Sequence, residues 1–322
     1  MPSPLGEDDE FLAVARQAVA SSDGETALAS LGWWELLASL DDPELRPAVY
    51  AFFRAQGGAL CDSPALGGLL AQPYLDTADH EAGSVVAAVR RHSPARGEVW
   101  VLVGPPSGRS LLIDRPGVGA TIIDADTATL QSIEVPGALT LHEVEINAES
   151  LVATIDETAA APARERSRFL GRVAVALEIL GAAEGALTLA VDYAGQREQF
   201  GQPIGGFQAV RHLLAWATTD CVALAATEVE AVRLDRSAPA DFDAALKALA
   251  GRNGRRACER SLQVLGGIGF TTELDHHHFH SRVLALDALL GSTAALTAEL
   301  GAGLRRQGRH PGFPEAVLLG GE

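Results

Sequence analysis

The chain is poor in cysteine, lysine and methionine, and it has no excess of positive charge. Its 322 residues include three cysteines, one methionine and a single lysine, Lys247. Cys61, Cys221 and Cys258 are odd in number, widely spaced and free of any C-x-x-C pairing. That pattern excludes a disulfide framework and gives no zinc-site spacing, so buried free thiols are expected. Twenty-five basic residues against 42 acidic ones leave a formal charge of -17. Nucleic acid or an anionic membrane would be repelled, and neither is expected as a partner. No purely apolar run is long enough to cross a bilayer, and the N-terminal MPSPLGEDDEFLAVARQ lacks the basic start and apolar centre of a secretory leader. The expected compartment is cytoplasmic. With 47% hydrophobic and 21% charged residues, the composition is that of a folded globular chain of two or three domains.

What is present falls into three textures. Residues 1–82 read as short helices, with acidic starts, an Asp41-Asp42-Pro43-Glu44 helix start and apolar stripes around Trp33, Trp34, Leu36 and Leu37. The paired tryptophans fit core packing better than a cofactor platform. Residues 83–150 change to short apolar runs, Val99 to Val103, Ser110 to Asp114, Val118 to Ile123, Ser132 to Val135 and Leu139 to Ile146. Turn chemistry at Asp114-Arg115-Pro116-Gly117 and Val135-Pro136-Gly137 separates them, which predicts a small β domain. Residues 151–308 carry long helical periodicities, through Leu170 to Ala194, Val210 to Ala225 and Leu246 to Leu265, with a further segment after Gly291. These predict a four-helix bundle. Residues 309–322 read as a tail. The fold class expected is mainly α with a small β domain.

Several candidate motifs carry little chemistry. Gly104-Pro105-Pro106-Ser107-Gly108-Arg109-Ser110 lacks the GK[ST] ending of a phosphate loop, and Gly117-Val118-Gly119 lacks a third glycine and a following helix. His276, His277, His278 and His280 are dense, but adjacent imidazoles diverge on a helix and no carboxylate sits at ligand spacing, so no metal is expected and the cluster reads as a solvated helix start.

Two helix corners are more informative. At Tyr193-Ala194-Gly195-Gln196-Arg197-Glu198-Gln199-Phe200-Gly201-Gln202-Pro203-Ile204, followed by Phe207-Gln208-Ala209-Val210, a long helix ends, the chain turns and a second helix begins. A guanidinium, amides and an aromatic ring at one corner suit an anionic, planar ligand, or else an ordinary interhelical corner. At Gln263-Val264-Leu265-Gly266-Gly267-Ile268-Gly269-Phe270 a helix runs into glycines that bare backbone N–H groups, as for a close-approaching ligand or a simple helix cap.

In this order, separated by a helical hairpin, the two corners resemble the C-terminal domain of the acyl-CoA dehydrogenase superfamily, over about Arg164 to Arg306. The resemblance implies an N-terminal helical domain, an abbreviated middle β domain and a C-terminal four-helix bundle. It implies a flavoprotein that desaturates an acyl-CoA thioester between its α and β carbons, a carboxylate removing the α proton while the β hydrogen leaves as hydride. It also implies assembly as a dimer of dimers, with Arg197, Phe200, Gln208, Gln263 and Gly267 contacting FAD held mainly by a neighbouring subunit. The family's base sits at one of two places, which fall here on Leu290 and Gly171; neither can accept a proton, so the expected catalytic set of this chain is empty. The nearest carboxylates, Asp287 and Glu178, lie a turn or two away and otherwise read as solvated helix charges. Ser292 and Ala294 stand where the family contacts its own flavin.

An intact half-site for a neighbour beside an eroded half-site of its own resembles the short subunit of actinobacterial heterotetrameric acyl-CoA dehydrogenases, which act on steroid side-chain thioesters. Arginine and alanine in place of lysine fit the GC-rich genome of such a host. The expected partners are a second, larger acyl-CoA dehydrogenase subunit carrying the glutamate, an acyl-CoA substrate and an electron-transfer flavoprotein. The alternatives are a flavin-free scaffold or binding subunit, and a self-sufficient homotetramer using Asp287 or Glu178.

Overall fold

The computed structural model describes residues 10–75, 83–93, 97–133, 135, 139–145 and 151–306. Five helices come first: α1 (Glu10–Ser21), α2 (Gly24–Ser30), α3 (Trp33–Ala38), α4 (Arg46–Ala59) and α5 (Ala65–Leu75). The Asp41 to Glu44 segment forms a turn, with Asp42 accepting the Glu44 N–H at 2.8 Å, and α4 starts later with Pro47 in its first turn. Trp33 is fully buried, its ring 5.1 Å from Phe52 and 5.7 Å from Phe53. Trp34 is half-buried under the Arg109 guanidinium, 4.4 Å from its ring centroid. Both tryptophans thus serve packing.

Eight strands follow: β1 (Val85–Ala87), β2 (Val89–Ser93), β3 (Gly97–Val103), β4 (Ser110–Arg115), β5 (Gly119–Ile123), β6 (Thr129–Ile133), β7 (Leu141–Glu145) and β8 (Leu151–Asp156). They form two four-stranded sheets, ordered β1-β4-β5-β8 and β2-β3-β7-β6, antiparallel except for the β1–β4 pair. Alternation sorts the side chains. Val86, Leu102, Leu111, Ile113, Ile123 and Val144 fill the space between the sheets, while Val85, Val101, Val103, Leu112 and Ile122 join the core shared with the helices. Strands β1, β2 and β8 had no separate signal in the sequence, and β8 lies beyond the boundary expected at residue 150. It belongs to the sheet because its register with β5 runs from Gly119–Asp156 to Ile123–Leu151.

Helix α6 (Glu157–Gln196) runs 40 residues from that sheet. Asp156 caps it by accepting the Thr158 and Ala159 N–H groups, and Arg164 ties its first turns to the sheet through bonds to Asp114 and Glu157. It is the one helix among the described residues long and apolar enough to cross a membrane, and 72% of its most apolar window is buried inside the protein. A minimal hairpin, β9 (Glu198–Gln199) and β10 (Gln202–Pro203), leads to α7 (Gln208–Leu234) and α8 (Phe242–Leu265). Helix α9 (His276–Asp287) packs on α6 and α8, and α10 (Thr293–Arg306) packs on α8. The fourth place beside α6 and α8 is therefore shared between α9 and α10. The expected tail, 309–322, lies outside the described residues.

Candidate functional site

The two corners meet in space. The end of α6, the start of α7 and the end of α8 share a small apolar cluster in which Ala190, Ala194, Val264 and Leu265 are buried against Tyr193, Ile204, Val210 and Ile268. This cluster exists because alanines and β-branched residues recur on the inner faces of three helix ends. Arg197 ends α6: its N–H donates to the Tyr193 carbonyl at 2.8 Å and its own carbonyl accepts from Ile204 at 2.7 Å. Its side chain is left exposed. In the hairpin turn Phe200 has φ 53° and Gly201 φ 82°, the paired positive values of a type I′ turn. A bulky residue rarely takes that geometry, and here it lifts the Phe200 ring 93% into solvent, edge-on to Phe207 at 6.1 Å. Gln208 opens α7, Gln263 lies in the last turn of α8 and Gly267 follows it; all three are exposed. A Cβ built on Gly267 meets nothing within 4 Å, so the backbone there is open to a close approach. Phe270, 79% exposed, is a second bare aromatic at this corner, and only its place at the end of the glycine motif signalled it.

The five expected cofactor residues are thus brought to one end of the helical bundle on an open surface. They form a one-sided platform: a cation, two amides, a ring and a bare backbone, with no opposing wall within the described chain. Such a set has the chemistry to meet one face of a planar, phosphorylated group.

Leu290 and Gly171 are neighbours. A Cβ built on Gly171 would stand 2.5 Å from Leu70 Cδ2 and 2.7 Å from Leu290 Cδ1. Neither position bears a proton acceptor, and a side chain at 171 would have to displace the methyl ends of Leu70 and Leu290. Leu290 sits at φ 55° with its carbonyl held by Arg172 at 3.0 Å, while the buried Lys247 ammonium donates to the carbonyls of Asp287 and Gly291. Burial lowers the Lys247 ammonium to about 8. The loop carrying position 290 is fixed in place.

The two alternative carboxylates differ from the expectation of solvated charges. Glu178 is 1% exposed and Arg282 is fully buried, with Arg282 Nε 2.9 Å and Nη2 2.6 Å from Glu178 Oε1. Burial pushes the Glu178 carboxyl up and the guanidinium opposes this. Asp287 accepts the Thr293 N–H at 3.1 Å and hydroxyl at 2.7 Å, and lies 3.6 Å from Lys247 Nζ. Both are occupied in holding elements together. Their helical surroundings hid these partners, which lie 104 residues away for Glu178 and six for Asp287. Ser292 is half-buried and Ala294 exposed.

The histidine cluster also departs from a solvated start. His276 is 1% exposed, its Nε2 2.9 Å from the Cys258 carbonyl, and burial lowers its pKa. Among the described residues no group of three or more metal-ligating side chains converges. Cys221 and Cys258 are buried and Cys61 half-buried, and burial raises all three thiols.

Comparison with known proteins places this architecture. A solved variant of the Tcur3481–Tcur3483 steroid ACAD superposes with a TM-score of 0.72 at 21% identity, covering 93% of this chain and 98% of that one. The ChsE4–ChsE5 complex of Mycobacterium tuberculosis gives 0.70 at 19%, and butyryl-CoA dehydrogenase of Megasphaera elsdenii 0.71 at 18%, covering 94% and 92% of this chain and 88% and 97% of theirs. The fold is that of the acyl-CoA dehydrogenases. Residues 169–304 match the family model "Acyl-CoA dehydrogenase, C-terminal domain". Acyl-CoA dehydrogenase FadE34 of Mycobacterium tuberculosis is 31% identical over 305 residues, 91% of this chain and 38% of that protein. The 3-sulfinopropanoyl-CoA desulfinase of Paraburkholderia xenovorans is 28% identical over 230 residues, 63% of this chain and 59% of that protein. Family model, relatives and structural neighbours together support a place in the acyl-CoA dehydrogenase superfamily. The chain spans between 38% and 59% of the length of these two relatives.

Proposed function

We propose that this chain is the base-lacking subunit of an FAD-dependent acyl-CoA dehydrogenase that desaturates an acyl-CoA thioester, a steroid side-chain thioester by analogy with the neighbours named for steroids and for a two-protein complex. Arg197, Phe200, Gln208, Gln263 and Gly267 face a flavin held with a larger partner in a heterotetramer. FAD supplies the hydride acceptor when bound. This chain's residues would hold it: Arg197 would supply a cation for phosphate, the two amides hydrogen-bonding groups, Phe200 an aromatic surface and Gly267 an open backbone. The partner contributes the glutamate, and the electrons pass to an electron-transfer flavoprotein.

One observation supports the reading. The two positions to which the family resemblance assigns the proton acceptor, Leu290 and Gly171, adjoin each other and neither bears an acidic group, so α-proton removal is assigned to another chain. The test is co-expression with a larger acyl-CoA dehydrogenase chain encoded beside it. The expected product is a yellow complex with fewer flavins than subunits and a colourless chain when expressed alone. In the complex Arg197→Ala should weaken flavin retention by roughly ten- to a hundredfold, the loss of one charged hydrogen bond of about 1.5 to 3 kcal/mol. Stoichiometric FAD and acyl-CoA oxidation by the isolated chain would refute the proposal.

A further inference from the structure

A cavity of about 400 Å³ opens between α4, α6 and α7, away from both the corner residues and the Leu290–Gly171 contact; its lining includes none of them. Its walls are apolar, with Pro43, Pro47, Ala51, Leu177, Ala225 and Val229 facing it. The volume lies in the lower part of the range of small-molecule sites, roughly 300 to 1,000 Å³.

Two polar side chains that line it are out of place. Glu228 is 2% exposed, and neither carboxyl oxygen meets a hydrogen-bond partner among the described residues; Tyr50 is also 2% exposed, and its hydroxyl has none. A buried polar group without a partner costs about 1 to 3 kcal/mol, and native proteins satisfy some nine in ten of them. Two such groups on one cavity point to a partner that is not part of the chain. Burial favours the neutral form of both groups, pushing the Glu228 carboxyl well up and the Tyr50 phenol up as well. Each is then able to donate one hydrogen bond and accept another.

The charges around the cavity are already matched. Arg54 bonds Glu184 at 3.0 and 2.6 Å, Arg46 lies 3.2 Å from Asp235, and Arg233 pairs with Glu230. No ionic group is left over to select a charged ligand. The two polar points also lie in different surroundings: Arg54 and Glu184 act on Glu228, whereas Arg46, Arg166 and Asp235 act on Tyr50.

We infer that this cavity binds a small uncharged molecule with an apolar body and hydroxyl or carbonyl groups that meet Glu228 and Tyr50. The inference does not rest on the flavin reading, and its test needs neither flavin nor partner. A straight-chain octanediol with a hydroxyl at each end serves as the probe, titrated into the full chain by calorimetry and by thermal unfolding. Saturable heat and a rising melting temperature are expected. Val229→Trp, at a 46% exposed position on the rim, should abolish the heat while leaving the unliganded melting temperature unchanged. Glu228→Gln, which keeps a donor and an acceptor, should retain binding, and Glu228→Leu should weaken it about tenfold, one hydrogen bond's worth. Octanoate, charged at one end, should not bind. Absence of saturable heat, equal heat from wild type and Val229→Trp, or binding of octanoate equal to that of the diol would overturn the inference.

Discussion

At the scale of single residues, buried polar groups set the sharpest expectations. Burial raises the Glu228 carboxyl well above its ordinary value in the fold, whereas in the unfolded chain it ionises at about 4.5. Below that value both states carry the proton and the residue is neutral to stability. Above it the unfolded chain releases the proton and the folded one keeps it, so stability falls as pH rises, by about 1.4 kcal/mol per unit, until the folded group itself titrates. Glu228→Gln should therefore show little difference from wild type near pH 4 and an advantage that grows as pH rises above about 4.5, read from urea midpoints. Glu178 and Arg282 behave as a pair. Arg282→Met leaves a buried carboxyl and releases the Cys61 carbonyl, which Arg282 Nη2 holds at 2.5 Å. It should cost about 3 to 5 kcal/mol in chemical unfolding, and a Glu178→Leu/Arg282→Met double variant should recover most of that loss.

At the scale of elements, α4 and α6 touch through backbone. Cβ atoms built on Gly57 and Gly181 would overlap the Glu178 and Arg54 carbonyls, so two helices far apart in the sequence cross with nothing between them but glycine. Gly181→Ala should push the axes apart and destabilise by about 1 to 3 kcal/mol despite its better helix propensity, a loss visible in the urea midpoint. That contact was invisible in the sequence, where Gly57 and Gly181 merely interrupt helical patterns. The long elements themselves were legible, because apolar residues recurring every 3.6 positions over 20 or more residues seldom occur outside a helix with one buried face. The short β1, β2 and β8 were not: β1 is three residues long and β8 is mostly exposed, so neither alternation nor an apolar run marks them.

At the scale of the whole molecule, the three textures of the sequence correspond to helical, sheet and helical regions, and both corner motifs lie together as their order suggested. The remainder depended on distance. Nothing near Gly171 in the sequence indicates Leu290 or Leu70, and nothing near Glu228 indicates that this residue would line a cavity, because burial and partnership are fixed by chain segments more than a hundred residues apart. Helix α6 also limits how the chain can be divided. It emerges from the sheet, packs against α4, α5, α7, α8 and α9, and delivers Arg197 at its far end. Tryptophan fluorescence, from Trp100 in the sheet and Trp33, Trp34 and Trp216 in the helices, and far-ultraviolet dichroism should consequently report one coincident melting transition. A strut some 60 Å long that every layer leans on has no natural breaking point: a nick inside it would strip the hydrophobic cover from both ends at once, and truncated halves would be recovered as insoluble material rather than as smaller working parts.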